Sequence, residues 1–225
     1  MTALASTLEV DQADTDFQAQ LPTIIDSAEQ NCYRELDLLV SIVTVTAAMT
    51  ANSRFFTLPI TNGSATIHFL VVDAVNVFDA ANTRHPLTPA TREGIDFLWP
   101  SETAQSAAVI PGLFARISDT QLLVGSAPGA AWSCEVIGTI RPAPLSSTNT
   151  DTYLTDYLSD LFFAACMVSA TGGLLKNYGA QADSAQQAIS WQAQYQERLA
   201  SAKREELRKS FVSAMSSPPT SAKDA

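Results

Sequence analysis

The side chains of this chain that could carry out chemistry are few and widely spaced. His68 and His85 have the functional groups of a general base or a metal ligand, but neither has a second histidine or a cysteine at metal-ligand spacing. His68 falls in a predicted strand, and His85 falls in a loop with two prolines. We therefore interpret both histidines as structural and predict no metal site.

The three cysteines and one glycine-rich segment lead to the same interpretation. Cys32, Cys134 and Cys166 are odd in number, far apart and surrounded by apolar residues, which is typical of cysteines that pack as small hydrophobes in a reducing compartment. Residues 125–129 include Ser126, but this serine is misplaced relative to the G-x-S-x-G turn of hydrolases, so we predict a simple turn. The sequence also lacks a Gly-rich phosphate loop ending in Lys-Ser or Lys-Thr. We predict no enzyme, no catalytic residue and no cofactor.

Charge is distributed unevenly along the chain. The 225 residues have a net charge of −10, with 7 basic and 19 acidic residues up to Ser190, then 6 basic and 4 acidic residues from Trp191. An acidic body disfavours tight binding to a phosphate backbone, which needs clustered Lys and Arg. It is compatible with a wall past which DNA slides, and also with solubility alone. The low charged fraction, 16%, suits subunit interfaces or an ordinary neutral surface.

No membrane segment is expected. The uncharged run from Leu161 to Leu175 is shorter than the ~20 apolar residues needed to span a bilayer, so it predicts a buried helix. The N-terminal residues lack the basic region and apolar core of a signal peptide.

The apolar periodicity predicts long helices at both ends of the chain. The first runs from about Leu21 to Leu38, with Asp16 as a possible cap and Pro22 in its first turn. Another runs from Tyr153 or Asp156 to Thr171, before a break at Gly172-Gly173. The last extends from about Asp183 to Ser213, and Trp191 and Tyr195 are expected to be packing anchors on one face of it.

Between these helices the pattern changes to short strands. Residues 40–46, 54–58, 67–78, 113–117, 121–124 and 132–140 are rich in β-branched and aromatic residues and are separated by turn signals such as Asn62-Gly63. Thr88 is expected to cap one short helix over 89–98. The predicted fold class is α+β: a helical bundle of N- and C-terminal helices with an inserted small antiparallel β barrel or sandwich. The expected boundaries are a flexible acidic N-terminus at 1–16, a bundle at 17–39 and 150–213, a β module at 40–149 and a flexible tail at 214–225.

This order of elements resembles the head-to-tail adaptor proteins of tailed bacteriophages, also called head completion or tail tubular A-like proteins. The resemblance covers about residues 21–209, and its strength lies in the order of its motifs. The break at Gly172-Gly173 and the acidic N-terminal extension depart from the family pattern. The matching segments are Leu21-Pro22-Thr23-Ile24-Ile25-Asp26-Ser27-Ala28-Glu29, Arg34-Glu35-Leu36, Phe56-Thr57-Leu58-Pro59, residues 111–116 and 122–124, residues 132–142 with Leu145, Thr148-Asn149, residues 157–165, and residues 191–195.

The resemblance implies a structural subunit of a ring, usually of twelve copies, beneath the portal protein. Such a ring lies in the neck of the virion, is assembled in the host cytoplasm and passes DNA through its lumen without specific binding. The family's C-terminal region engages the portal, and loops of its β module reach the tail nozzle or next tail component.

The C-terminal helix supplies the candidate contact residues. Its end is basic and then apolar, and it is expected to project beyond the bundle, so we predict portal binding there; a frayed helix end is the alternative. A different functional class, a monomeric binding module or a small hydrolase with an unrecognised site, also stays open. The predicted portal-binding residues are Arg204, Leu207, Arg208, Phe211, Val212 and Met215.

Overall fold

The structure is a computed structural model that describes residues 2–63, 65–101, 103, 106, 109–171 and 185–215. The chain divides into two compact units. A helical unit combines Met1–Val40 with Ala143–Ala225, and a β-rich unit comprises Ser41–Pro142. The helices are α1 (Thr2–Thr7), α2 (Thr15–Glu35), α3 (Arg92–Leu98), α4 (Tyr153–Tyr157), α5 (Ser159–Thr171) and α6 (Ala185–Met215). The strands are β1 (Ile42–Ala48), β2 (Phe55–Thr57), β3 (Thr61–Asn62), β4 (Ala65–Thr66), β5 (Phe69–Phe78), β6 (Arg84–Pro86), β7 (Thr88–Pro89), β8 (Leu113–Arg116), β9 (Gln121–Gly125) and β10 (Ser133–Ile140).

The core of the helical unit forms around α5. This helix is apolar on nearly all sides, which is typical of a helix enclosed by its neighbours, and α2 and α6 both pack against it. The glycine break predicted at Gly172-Gly173 and the predicted helix start at Asp183 lie outside the described residues. The fully buried members of the core include Phe17, Ile24, Ala28, Cys32, Leu154, Leu161, Ala164 and Met167.

The N-terminal segment differs from the flexible stretch expected at residues 1–16. Thr2–Thr7 form α1, and Leu4, Ala5 and Leu8 are buried in the helical core. Leu4 and Leu8 are four residues apart, which places both side chains on the same side of the chain. This short apolar cluster was not predicted because acidic residues dominate the N-terminal sequence.

The long helices begin and break at positions other than those predicted. Asp14, and not Asp16, caps α2, accepting hydrogen bonds from the backbone N–H groups of Asp16 and Phe17. Pro22 consequently lies inside α2. The predicted single helix ending at Thr171 is two helices, because the backbone at Leu158 leaves the helical conformation between α4 and α5.

The β-rich unit contains two four-stranded sheets with a common apolar core. One sheet has the order β1-β10-β5-β6 and the other has the order β2-β9-β8-β7; all described pairs are antiparallel except β7 with β8. Asn62-Gly63 lies at the turn between β3 and β4, and Gly63 has φ +60°, as the turn signal predicted. The core side chains include Phe56, Val75, Val77, Leu122, Val124, Cys134 and Val136.

The short helix α3 is fastened to the second sheet. Thr91 caps it, and not Thr88, which lies in β7. Ile95 is fully buried, and the Arg54 guanidinium, itself 7% exposed, forms an ion pair of 2.6 Å with Asp96. A Cβ at Gly125 would lie 2.8 Å from the Trp99 ring, so the glycine permits α3 to pack closely on β9.

Strand β5 pairs with β10 over most of its length, but its other side is paired with a strand over only part of that length. β6 pairs with Asn76 to Phe78 alone. Arg116 donates hydrogen bonds from its guanidinium to the backbone oxygens of Leu70 at 2.6 Å and Phe69 at 2.8 Å. A side chain therefore satisfies two backbone acceptors at the start of β5.

The predicted mixture of helices and antiparallel sheets is confirmed. The barrel or sandwich arrangement and the helical bundle stay predictions. Among the described residues, none of the helices has both the length and the apolar character required to cross a bilayer.

Candidate partner-binding surface on the last helix

One face of helix α6 packs against the core of the helical unit. Tyr195, Leu199 and Ala202 are buried at helical spacing, and they are followed on the same side by Glu206, which is 6% exposed. The 31 residues of α6 span roughly 46 Å at 1.5 Å per residue. The buried face holds a rigid rod against the core and leaves the opposite face free to meet a partner.

Polar and aromatic contacts fix α6 to its neighbours upstream of its end. The Tyr195 hydroxyl donates to Glu35 of α2 at 3.2 Å, and the Trp191 ring packs edge-on against Phe163 of α5 at 5.9 Å between centroids. Arg198 donates to the backbone oxygen of Asp160 at 2.9 Å. The prediction that Trp191 and Tyr195 are packing anchors is confirmed.

A cluster around Glu206 fixes the last turns of α6. Lys209 Nζ donates to Glu206 Oε1 at 2.6 Å and to the Tyr153 hydroxyl oxygen at 2.6 Å, and the Tyr153 hydroxyl donates to the same Oε1 at 3.1 Å. The other carboxylate oxygen, Oε2, accepts from the backbone N–H of Leu39 at 3.2 Å. Glu205 also forms an ion pair with Lys209, at 3.0 Å.

The electrostatics of this cluster favour an ionised Glu206. Burial opposes ionisation, but the hydrogen bonds from Lys209, Leu39 and Tyr153 together hold the pKa of Glu206 below its ordinary value. The same carboxylate and the Tyr153 hydroxyl raise the pKa of Lys209. Near neutral pH the cluster therefore holds the end of α6 through an ion pair and charge-assisted hydrogen bonds.

The opposite face of α6 carries four of the six predicted portal-binding residues, which we call the exposed strip. Leu207 is 68% exposed and Phe211 is 66% exposed. Arg204 and Arg208 are exposed beside them, and within the described part of the chain neither has an ion pair or hydrogen bond. These positions, spaced by three and four residues, form one surface that combines apolar area with positive charge.

The remaining two predicted residues, Val212 and Met215, are part of α6, but their side chains fall outside the described residues. Sequence reasoning missed Glu206 and its partners Tyr153 and Leu39. The spacing of Glu206 and Lys209 on one helix was a usable signal, whereas the bond to Leu39 spans 167 residues and leaves no local pattern.

The other titratable side chains form no candidate catalytic site among the residues described. His85 lies 3.0 Å from Asp79, and this contact contributes most to a lowered pKa of Asp79; His68 is exposed on a loop outside any strand. Burial raises the pKa of each cysteine thiol to about 12. No cluster of three potential metal ligands occurs in the described ranges.

The helical unit also contains a groove of about 1000 Å³, lined mostly by apolar side chains. It has no histidine, lysine or arginine among its described lining residues. This lining provides apolar contact area but no set of groups suited to acid–base chemistry. The lining includes Leu4, Phe17, Leu21, Pro22, Ile25, Asp26, Leu145, Phe162, Phe163 and Cys166.

Comparison with known proteins gives the family. Nine chains of solved structures match. One of them belongs to a structure described as the neck of an empty GTA particle computed with C6 symmetry. It is 14% identical to this chain, the match covers 86% of this chain and 87% of that chain, and the TM-score is 0.26. A search of curated proteins finds no match. The family of SU10 adaptor proteins matches residues 1–218. This match spans nearly the whole chain and confirms the resemblance to phage head-to-tail adaptors, so the chain belongs to the SU10 adaptor protein family.

Proposed function

We propose that this protein is a structural adaptor subunit that forms a ring below the portal of a tailed phage, joining the DNA-filled head to the tail. Membership in an adaptor family supports a structural role. The proposed portal contact is inferred from the exposed strip of α6. Leu207 and Phe211 are about two-thirds exposed there, on a helix whose opposite face is bonded to the rest of the helical unit. Large apolar side chains displayed together on a rigid element favour partner binding.

The exposed strip defines the chemistry of the partner surface. Leu207 and Phe211 would bind an apolar pocket, and Arg204 and Arg208 would pair with carboxylates near the rim of that pocket. Arg favours planar, bidentate pairing with carboxylates. We propose that the portal provides such a surface and that Val212 and Met215 extend the contact beyond Phe211.

The charge balance supports a channel that does not retain DNA. The net charge is −10, and the acidic excess lies entirely outside α6, which is itself net positive. A lumen lined by carboxylates repels phosphates, so DNA passes without specific binding. Twelve copies is the stoichiometry that the family resemblance implies, and the virion neck is the corresponding location.

Contact with the next tail component is assigned to the β-rich unit. Its α3 displays Phe97, which is 85% exposed, and Leu98, which is 56% exposed. The Arg54–Asp96 ion pair and the buried Ile95 keep this helix in place, so the two apolar side chains are presented on a preorganised element. We propose that they contribute to the tail-side surface.

The alternative function, a monomeric binding module or small hydrolase, rests on the groove of the helical unit. The groove is large enough for a small molecule, but its described lining offers one carboxylate, Asp26, and no histidine, lysine or arginine to activate a nucleophile. Burial raises the pKa of the Cys166 thiol in this lining to about 12, so the thiol stays protonated near neutral pH. A binding module is therefore the stronger form of this alternative.

Mass photometry of the protein with purified portal separates the two functions. We expect the portal to gain a defined number of copies of this chain, close to twelve, and micrographs of virion necks to place the ring between portal and tail. Because adaptors can stay monomeric until they meet the portal, the free protein alone does not decide. A protein that stays monomeric with the portal present, or that lies elsewhere in the virion, would contradict the proposal.

A further inference from the structure

Two buried glutamates of the helical unit hold the chain where it leaves that unit and where it returns. The helical unit ends at Val40 and resumes at Ala143. Just before the exit, the N–H of Leu39 donates to Glu206 Oε2 at 3.2 Å, and just after the return, the N–H of Leu145 donates to Glu29 Oε2 at 3.0 Å. Glu206 and Glu29 are 6% and 3% exposed.

Glu206 differs from Glu29 in what else it binds. It lies on α6 within the last turns that carry the exposed strip, and its Oε1 accepts from Lys209 and Tyr153. One carboxylate therefore joins the strip-bearing end of α6 to α4 and to the backbone of the exit segment, residues 37–41. A hydrogen bond to a buried, charged acceptor is stronger than a neutral one.

We propose that Glu206 is a positioning residue that couples occupancy of the exposed strip to the exit segment leading into the β-rich unit. Helix ends open locally at low free-energy cost. A partner seated on Leu207 and Phe211 suppresses opening of the α6 end, which keeps Glu206 in place and the Leu39 N–H bonded. Linkage makes the effect reciprocal: a secured exit segment favours binding at the strip. The portal as occupant rests on the proposed function, whereas the coupling rests on the Glu206 contacts.

Amide hydrogen exchange of the full chain tests the contacts directly. In E206Q the charge and the Lys209 ion pair are lost, so we expect exchange at Leu39 to accelerate about tenfold with no change at Leu145. Glu29→Gln is the matched control: it replaces the other buried glutamate, and it is expected to change exchange at Leu145 and not at Leu39. Unchanged exchange at Leu39 in E206Q, or equal acceleration at both amides, would overturn the assignment.

The coupling itself is tested without any partner by S210P. Proline at this position removes the N–H that a helix bonds to the Glu206 carbonyl, and it also removes the Ser210 hydroxyl that donates to the same carbonyl at 3.0 Å. It disrupts the strip-bearing turns through the backbone, while Glu206, Lys209 and Tyr153 themselves stay unchanged. Exchange at Leu39 is expected to accelerate, while exchange at Leu145 stays as in wild type. If Leu39 keeps its wild-type exchange rate in S210P, the α6 end and the exit segment are independent and the inference is wrong.

Addition of purified portal completes the test. Exchange at Leu39 is expected to slow in the wild-type protein and to slow less in E206Q, with Leu145 unaffected in both. Portal that binds without slowing exchange at Leu39 would overturn the coupling and leave the adaptor function intact. Portal that does not bind at all would contradict the proposed function, and S210P would still decide the coupling.

Discussion

Replacing Leu207 and Phe211 by serine tests whether the exposed strip binds the portal. Both side chains project from the α6 face opposite Tyr195, Leu199 and Ala202, so the double variant L207S/F211S removes apolar surface without opening the core. Surface substitutions away from buried networks change stability little, and the lower helix propensity of serine relative to leucine adds at most about 0.5 kcal/mol at position 207. The variant is expected to fold normally.

The expected loss of affinity follows from the exposed fractions. Complete burial of a Leu or Phe side chain is worth about 1.5–3 kcal/mol. Leu207 and Phe211 have 68% and 66% of their surface available to a partner, which reduces this to about 1–2 kcal/mol each. The pair then contributes about 2–4 kcal/mol, a weakening of the Kd for the portal by about 30-fold to 1000-fold.

Titration of purified portal with wild type and variant measures this change. Ile189→Ser is the matched control, because Ile189 lies on the same helix and is equally exposed, at 68%, but is five turns from Leu207. We expect I189S to bind like wild type. A Kd for L207S/F211S within about threefold of the wild-type value, or an equal loss in I189S, would refute the assignment of the strip.

Three further predictions concern stability and reactivity. K209M removes the cation beside the buried Glu206 and should lower the free energy of unfolding at neutral pH by about 1–2 kcal/mol, a value discounted for the 38% exposure of Lys209. Because the folded-state pKa of Glu206 lies below its ordinary value, its contribution to stability is present above the ordinary pKa and is lost as pH falls through the folded one. Urea titrations should therefore show the K209M deficit shrink in acid, and a pH-independent deficit would contradict the ion-pair explanation. G138A should destabilise the protein by about 2–4 kcal/mol in the same titration, since its Cβ would press on the backbone oxygen of Val71, and wild-type stability would show that β5 and β10 can shift apart. The three cysteines, buried and with thiol pKa values of about 12, should resist iodoacetamide at pH 8 until the protein is unfolded, as mass spectrometry can determine; rapid native labelling would mean that the cores open readily.

Local sequence patterns predicted much of this fold because they act over a few residues. Side-chain type predicted a strand at the β-branched run 40–46, and turn chemistry predicted the turn at Asn62-Gly63. Helical periodicity predicted the apolar face of α6. Predicted boundaries failed where two nearby residues could serve the same purpose. Asp14 and Asp16 are both good caps, as are Thr88 and Thr91, and tertiary packing selects between them.

The strip and its support were predictable to different degrees. Arg204, Leu207, Arg208 and Phe211 were predicted because the helix end is basic and then apolar, and their helical spacing places them together on one face. The support from Glu206 was not predictable, because a charged residue in a charge-mixed helix end is ordinarily solvated. Its burial depends on the Leu39 N–H, which the fold brings to it from the other end of the chain.

The guanidinium of Arg116 has a consequence for the sparsely paired start of β5. Unpaired strand edges recruit strands from other chains and cause aggregation. Arg116 binds the carbonyl oxygens of Phe69 and Leu70, next to Val71, whose side chain is 52% exposed. An acceptor that is already bonded to Arg116 cannot pair with the N–H groups of a strand from another chain, so this side chain lowers the tendency of the start of β5 to recruit one.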